Sequence, residues 1–267
     1  MQTEQNMDVI VLAGDRGPND PLAMTSGVSG KTLVPVAGVA MLTRVLRSLA
    51  DWPGLGRIVL VVPNGPDYQQ AVAAAGPVSS AVETVTPADS PSLSVAKALQ
   101  CLGRRRPVVL TTADHPLLKP EWLDRLCQGR PDHPVDDDLR VGLVDWSAVM
   151  QAFPDSRRTR YRFRNQSVCG TNLFLFNSTR ADQVLERWRS VEQNRKRPWK
   201  VVSLLGWVTL ARYLRGALTL DQGFESLSRR LGLTISPVLL DDPECAVDVD
   251  SAVDLALVEQ AIAGRAS

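Results

Sequence analysis

Apolar and polar positions along this chain follow two periods, and the period switches at regular intervals. Residues 9–12 (VIVL) form an unbroken apolar run, too short for a lone helix and suited to a strand buried on both faces. Residues 40–52 place Met41, Leu42, Val45, Leu46 and Leu49 at helical spacing, and Pro53-Gly54 ends the pattern. A second buried-type strand follows at 57–62, closed by Pro63-Asn64-Gly65. The alternation continues with a helix over 67–75, a short strand at 82–85 and a helix over 93–102 whose N-cap is Ser90 or Ser92. A strand at 108–110 and a helix at 121–126 complete the first half. This alternation predicts an α/β fold, a doubly wound, mostly parallel sheet with helices on both faces. Such sheets bind ligands at the carboxyl ends of their strands, here Ala13-Gly14, Pro63-Asn64, Pro87-Ala88 and Ala113-Asp114.

The style changes after the acidic stretch 132–138. Strands are predicted at 139–144, 173–176, 235–240 and 246–250, and helices at 181–193, 201–215, 224–231 and 251–262, the last capped by Ser251. Residues 155–172 are rich in arginine: Arg157, Arg158, Arg160, Arg162 and Arg164. From Arg158 onward the arginines alternate with Thr159, Tyr161 and Phe163, so an extended strand there would be positive on one face. No internal repeat interrupts the chain. One domain over 8–263 is expected, its halves 8–130 and 139–263, after a disordered lead-in at 1–7.

Composition narrows the function classes. Of 267 residues, 44% are hydrophobic and 22% charged, as in an ordinary soluble globular protein. A formal net charge of +1 gives no global pull towards nucleic acid or membrane. Cys101, Cys127, Cys169 and Cys245 lack C-x-x-C spacing, which argues against zinc and fits free thiols in a reducing cytoplasm. No signal peptide and no transmembrane segment is expected. His115 and His133 have no Cys or Ser partner nearby in sequence, so a hydrolase triad is not indicated.

The densest candidate chemistry follows the first strand. It reads Leu12-Ala13-Gly14, Asp15-Arg16-Gly17, then Lys31-Thr32-Leu33-Val34-Pro35-Val36-Ala37-Gly38. A strand ending in small residues bares backbone N–H groups, which suit phosphate oxygens. Arg16 can add a two-pronged guanidinium and Lys31 a point charge. Ser29-Gly30-Lys31-Thr32 ends like a P-loop, but the required first glycine falls on Thr25 and no strand precedes it.

This stretch resembles the signature of nucleotidyltransferases with a GT-A-like (Rossmann-like) fold, in particular the molybdenum cofactor guanylyltransferase-like NTP transferase group. Their signature runs apolar strand, Leu-Ala-Gly, Gly/Arg-rich loop, Lys-x-Leu-x-Pro-x-x-Gly. Asp15 stands where a second glycine is usual, and the loop before Lys31 is long. A later segment is similar to the family's Asp-x-Asp-x-x-x-Asp-Leu, matched by Asp248, Asp250 and Asp254-Leu255.

The resemblance implies a set of roles. Leu12, Ala13, Gly14, Asp15 and Gly17 would cradle a triphosphate, with Arg16 and Lys31 as catalytic cations. Asn64, Ser90 and Ser94 would read the base. Asp114, with Asp248 or Asp250, would hold Mg2+ (or Mn2+). Arg160, Arg162, Gly170, Thr171 and Asn172 would bind the acceptor. The reaction implied is transfer of an NMP from an NTP to a phosphorylated acceptor (sugar phosphate, polyol phosphate or cofactor precursor), with release of pyrophosphate. A cytoplasmic monomer or homodimer, without nucleic-acid partners, is expected. Plainer readings stand beside these. Asp114 can cap a helix or form an Asx turn. The later aspartates can serve a helix N-terminus. The arginines, and the basic run 195–200, can simply be solvated. A GT-A-like glycosyltransferase using a nucleotide-sugar and a catalytically weak nucleotide-binding protein are the competing functions.

Overall fold

A computed structural model describes residues 6–14, 20–103, 106–130, 136–193 and 206–265. In chain order its elements are β1 (Met7–Leu12), α1 (Pro21–Ser26), a 3-10 turn (Lys31–Leu33), β2 (Pro35–Val36), β3 (Val39–Ala40), α2 (Met41–Ala50) and β4 (Leu55–Val61). There follow α3 (Pro66–Ala73), β5 (Val82–Val85), α4 (Pro91–Leu102), β6 (Val108–Thr112), α5 (Pro120–Gln128), β7 (Leu139–Asp145) and α6 (Trp146–Ala152). The rest comprises β8 (Tyr161–Arg162), β9 (Ser167–Phe176), α7 (Gln183–Gln193), α8 (Trp207–Leu214), α9 (Leu220–Leu231), β10 (Ile235–Leu240) and α10 (Ala252–Arg265).

One sheet runs β10-β7-β9-β6-β1-β4-β5, with β8 joined to β9. The pairs β1–β4, β1–β6, β4–β5 and β7–β10 are parallel. Strand β9 runs against both its neighbours. The mostly parallel α/β sheet predicted from the alternation is therefore present, with one reversed strand inside it. That reversal brings the start of β9 to the end of the sheet where β1, β6 and β7 finish.

Alternate residues of the central strands feed two cores. Val9 and Val11 pack on one face with Leu42, Leu46, Leu123 and Val258, from α2, α5 and α10. Ile10 packs on the other with Val95, Leu99, Leu185 and Phe176, and the partly buried Leu227 and Leu231 of α9 adjoin it. Both faces are thus covered by helices, which explains why the central strands read as unbroken apolar runs.

Several predicted elements need correction. β1 starts at Met7, which pairs with Leu55, so the last residue of the expected lead-in belongs to the sheet. Helix α1 was not anticipated; the Asp20 carboxylate caps it from the backbone N–H groups of Leu22 and Ala23. Helix α6 was also missed, and Asp145 caps it at Ala148. The arginine-bearing strand shrinks to the two residues of β8. Residues 246–250 are not a strand: a 3-10 turn (Pro243–Ala246) leads into irregular backbone. Of the 201–215 helix, the described part is α8. The basic run 195–200 and His133 lie outside the described residues.

Candidate active site

The first components come from the central strands. Beyond β1, the Ala13 N–H donates to the Val61 carbonyl (2.8 Å), and the Ala113 N–H beyond β6 donates to Leu12 (2.9 Å). The two strand ends are therefore locked side by side. Gly14 is exposed, and a Cβ built there would meet no atom of the described residues within 4 Å. Space over this backbone is open, as close approach of a phosphate requires. Asp15, Arg16 and Gly17 lie outside the described residues.

Lys31 is delivered by the turn that follows α1. Gly27 ends α1 in the left-handed region (φ 67°), and Thr32 and Leu33 are buried, anchoring the turn on either side of the lysine stem. The Pro-x-x-Gly part of the signature is structural. It makes the β2–β3 hairpin, whose turn residues Ala37 and Gly38 have φ of 46° and 76°. Gly38 takes that conformation freely, whereas Ala37 carries some strain and its N–H is held by the Glu259 carboxylate (3.0 Å).

The Lys31 ammonium lies between two carboxylates: Asp114 Oδ2 at 2.7 Å and Asp250 Oδ1 at 2.5 Å. Burial pulls the ammonium towards neutrality, but the charges and hydrogen bonds of Asp114 and Asp250 outweigh it and hold its pKa above the usual lysine value. Asp114 Oδ1 is buried and has no hydrogen-bond partner among the described residues. The Asp114 carbonyl also accepts the Val249 N–H (2.9 Å), tying the irregular 247–250 segment to the end of β6.

Asp248 and Asp250 diverge instead of sharing a face. Strand alternation does not apply to the irregular backbone that carries them. Asp250, with its carboxyl half-exposed, turns to Lys31. Asp248 turns the other way: its Oδ2 accepts from Asn172 Nδ2 (2.8 Å) and its Oδ1 pairs with Arg158. Arg158 was expected in a solvated ribbon, yet its guanidinium donates to the Asp248 carbonyl and to Asp254 Oδ1, both at 2.6 Å. Asp254 in turn accepts from the Ser251 hydroxyl (2.7 Å) and the Asp250 N–H (3.3 Å). Arg158 and Asp254 therefore brace the loop that aims Asp250. Spacing already marked Asp254 through Asp-x-Asp-x-x-x-Asp-Leu; nothing in the arginine run distinguished Arg158.

Of the residues expected to bind an acceptor, Asn172 is in the left-handed region (φ 54°) and Gly170 is exposed, with no atom of the described residues within 4 Å of a Cβ built there. Thr171 is different. Its side chain is buried against Gly142, where a Cβ would come within 2.5 Å of Thr171 Oγ1, so it packs within the sheet and does not line the mouth. Arg160 stacks on the Trp146 ring, 4.1 Å from its centre, and donates to the Ser167 hydroxyl (3.0 Å). Arg162 is exposed, and its backbone N–H donates to the Tyr213 hydroxyl (3.1 Å).

The residues expected to read a base are mostly engaged elsewhere. Ser90 Oγ caps the Leu93 N–H (3.4 Å), and Ser94 Oγ accepts from Ala88 (3.0 Å). Asn64 is exposed at the end of β4 and lines a hollow with Tyr68, Ser79 and Thr84. His115, next to Asp114, is fully enclosed and stacked on Trp122 at 5.4 Å; burial pushes its pKa down to about 4, so it is neutral at pH 7. Among the described residues, no three His, Cys, Asp or Glu side chains form a metal-binding group.

A strand end with exposed backbone, a lysine between two aspartates and a reversed strand beside them gather at one end of an α/β sheet. A family model for the MobA-like NTP transferase domain matches residues 9–195, and the chain belongs to that family, an enzyme of the nucleotidyltransferase class. It is similar to a hypothetical transferase of known structure from Thermus thermophilus (28% identity, TM-score 0.77, covering 94% of this chain and 99% of the other). A CMP:2-keto-3-deoxy-manno-octonic acid synthetase complexed with CTP shares the fold at 15% identity and TM-score 0.57, over 98% of this chain and 100% of the other. So does a 4-diphosphocytidyl-2C-methyl-D-erythritol synthase from Anaerococcus prevotii at 10% identity and TM-score 0.56, with the same coverage of 98% and 100%. No curated protein matches the chain in sequence. Among the described residues, no helix is long and apolar enough to cross a membrane.

Proposed function

We propose that this enzyme transfers an NMP from an NTP to a phosphorylated small-molecule acceptor and releases pyrophosphate. One observation carries the reading: Lys31 and the carboxylates of Asp114 and Asp250 converge at the carboxyl ends of adjacent central strands. In the reaction an oxygen of the acceptor phosphate forms a bond to the α-phosphorus. The bond from that phosphorus to the α,β-bridging oxygen breaks, and its electron pair leaves with pyrophosphate. The acceptor oxygen is already ionised, so no general base is required, in keeping with the buried, neutral His115. The chain's tasks are positioning and charge compensation.

The backbone at Ala13-Gly14 would receive phosphate oxygens, and Lys31 would move its charge from the carboxylates to the polyphosphate. Gly170 and Asn172, with Arg160 and Arg162, would receive the acceptor. A divalent cation fits the donor set. Asp114 offers a buried, unpartnered oxygen, Asp250 a half-exposed carboxylate, and Mg2+ is well served by one or two carboxylates plus phosphate oxygens and water. When bound, it would neutralise charge on the reacting phosphates. CTP is the first nucleotide to try, because a structural relative is described as complexed with it.

Pyrophosphate release, followed with each NTP against a panel of sugar, polyol and cofactor-precursor phosphates, tests the reading. One NTP and one acceptor class should give turnover that is abolished by EDTA and by Asp114→Ala. Acceptor-dependent sugar transfer from a nucleotide-sugar without pyrophosphate release would overturn it. So would tight NTP binding with no turnover across the panel.

A further inference from the structure

Helix α8 stands out because none of its residues is buried. Among the described residues, its anchors are a hydrogen bond from the Arg212 guanidinium to Gln222 Oε1 (2.7 Å) and the contacts of one face. The Tyr213 hydroxyl accepts the Arg162 N–H (3.1 Å), the Tyr213 ring meets Phe163 edge-on at 5.7 Å, and the Arg164 N–H bonds the Leu218 carbonyl (2.8 Å) just beyond the helix. The opposite side carries Trp207, Ala211 and Leu214 at i, i+4 and i+7, with Val208 beside them. Trp207 is 69%, Val208 76% and Leu214 73% exposed, and Tyr161 of the adjoining β8 is 46% exposed. These four are among only six large apolar side chains exposed in the described residues, so the apolar surface is gathered here and not scattered.

The charge around this surface has one sign. Arg162, Arg164, Arg212 and Arg215 are all exposed, and residues 156–164 and 206–217 contain no Asp or Glu. The whole chain carries a formal net charge of only +1, so the patch is a local concentration. Its position is also fixed. Tyr161 pairs with Val168 near the start of β9, the same end of the sheet as Gly170, Asn172 and Lys31's carboxylates.

We propose that α8 and β8 form a docking surface for an anionic lipid bilayer. Trp207, Val208 and Leu214 would enter the headgroup–acyl boundary while the arginines meet lipid phosphates, so both halves of the surface have a counterpart in one partner. A second copy of this chain fits less well, because a two-fold interface would set arginine against arginine. A nucleic acid would satisfy the arginines but leave Val208 and Leu214 without a stacking partner. The docked orientation turns the mouth of the site towards the membrane. Through an eight-residue helix, attachment is weak, reversible and dependent on salt.

Co-sedimentation of the full chain with phosphatidylcholine vesicles, with and without phosphatidylglycerol, tests this. The bound fraction should rise severalfold with phosphatidylglycerol and fall back in high salt. Trp207→Ala with Leu214→Ala should abolish binding, and Arg212→Glu with Arg215→Glu should remove the preference for the anionic lipid. Each pair should leave the melting temperature unchanged, because the replaced groups are exposed. Equal or absent sedimentation with both vesicle types overturns the proposal, as does full binding by the Trp207/Leu214 variant. Sedimentation velocity supplies the remaining check: a dimer that the Trp207/Leu214 variant dissociates would assign this face to a second copy and overturn the lipid reading.

Discussion

The two sides of the mouth are built differently. On the Lys31 side, functional groups stand at the ends of central strands and are locked by ion pairs: Lys31 to Asp114 and Asp250, and Arg158 to Asp248 and Asp254. On the β8 side, Arg160 and Arg162 are exposed, and the support is a ring stack, a hydroxyl and a helix lying on the surface. The first arrangement fixes geometry and the second leaves room to accommodate. Under the proposed function, the first side would handle the same triphosphate in every turnover, which suits rigid ion pairs, whereas the second would define the acceptor and could be rebuilt without disturbing the sheet.

The contrast can be broken most severely at Lys31. Lys31→Ala removes the cation shared by two carboxylates, which in the proposed reaction would face the reacting phosphates, and kcat/KM should fall by about a thousandfold. Steady-state kinetics checks this; a loss below tenfold would remove Lys31 from the chemistry. Arg158 comes next. Its side chain and those of Asp248 and Asp254 are all largely buried, so Arg158→Ala leaves two carboxylates without their counter-charge. A loss of about 3 kcal/mol in stability is expected from denaturant unfolding, with only part recovered in Arg158→Lys because one ammonium cannot span both partners.

A smaller effect appears as a pH dependence. His115 is held neutral by burial, its pKa lowered to about 4 from 6.5. The unfolded chain therefore takes up a proton that the folded one refuses, and stability present above pH 6.5 is lost as pH falls towards about 4. Between about pH 7 and pH 5 this amounts to about 2 kcal/mol, and His115→Gln should flatten that limb of the melting curve. The mildest effects belong to the accommodating side. Arg160→Ala and Arg162→Ala should each change stability by less than about 1 kcal/mol. Each should raise the acceptor KM roughly tenfold while leaving the NTP KM unchanged. Equal effects on both KM values would erase the division between the two sides.

What was legible in the sequence follows the same division. Strands β1, β4, β6 and β10 are buried on both faces and read directly as apolar runs, and α2 displayed its core face at helical spacing. The first half of β9 was not legible, because Gly170, Thr171 and Asn172 interrupt its apolar pattern and only its sheet partners make it a strand. Helices α1 and α6 were too short to show a period, and their caps, Asp20 and Asp145, read as ordinary loop aspartates. At the site, the signature marked Lys31, Asp114 and Asp250, since local spacing carries them. Arg158 was invisible for the opposite reason: its partners lie 90 and 96 positions away, and an arginine run does not announce which member turns inward.

The ammonium of Lys31 is a cation built into the chain itself. It bridges two carboxylates that would otherwise repel each other and offsets one of their two negative charges. In the proposed reaction, a metal–nucleotide pair would exchange counter-ions with Lys31, Asp114 and Asp250 as it bound. A free divalent ion would have to evict the lysine and leave its charge stranded, whereas a polyphosphate arriving with that ion offers the lysine a new counter-ion in the same movement. Under the proposed function, this one side chain would favour the metal–nucleotide complex over the metal alone as the species captured.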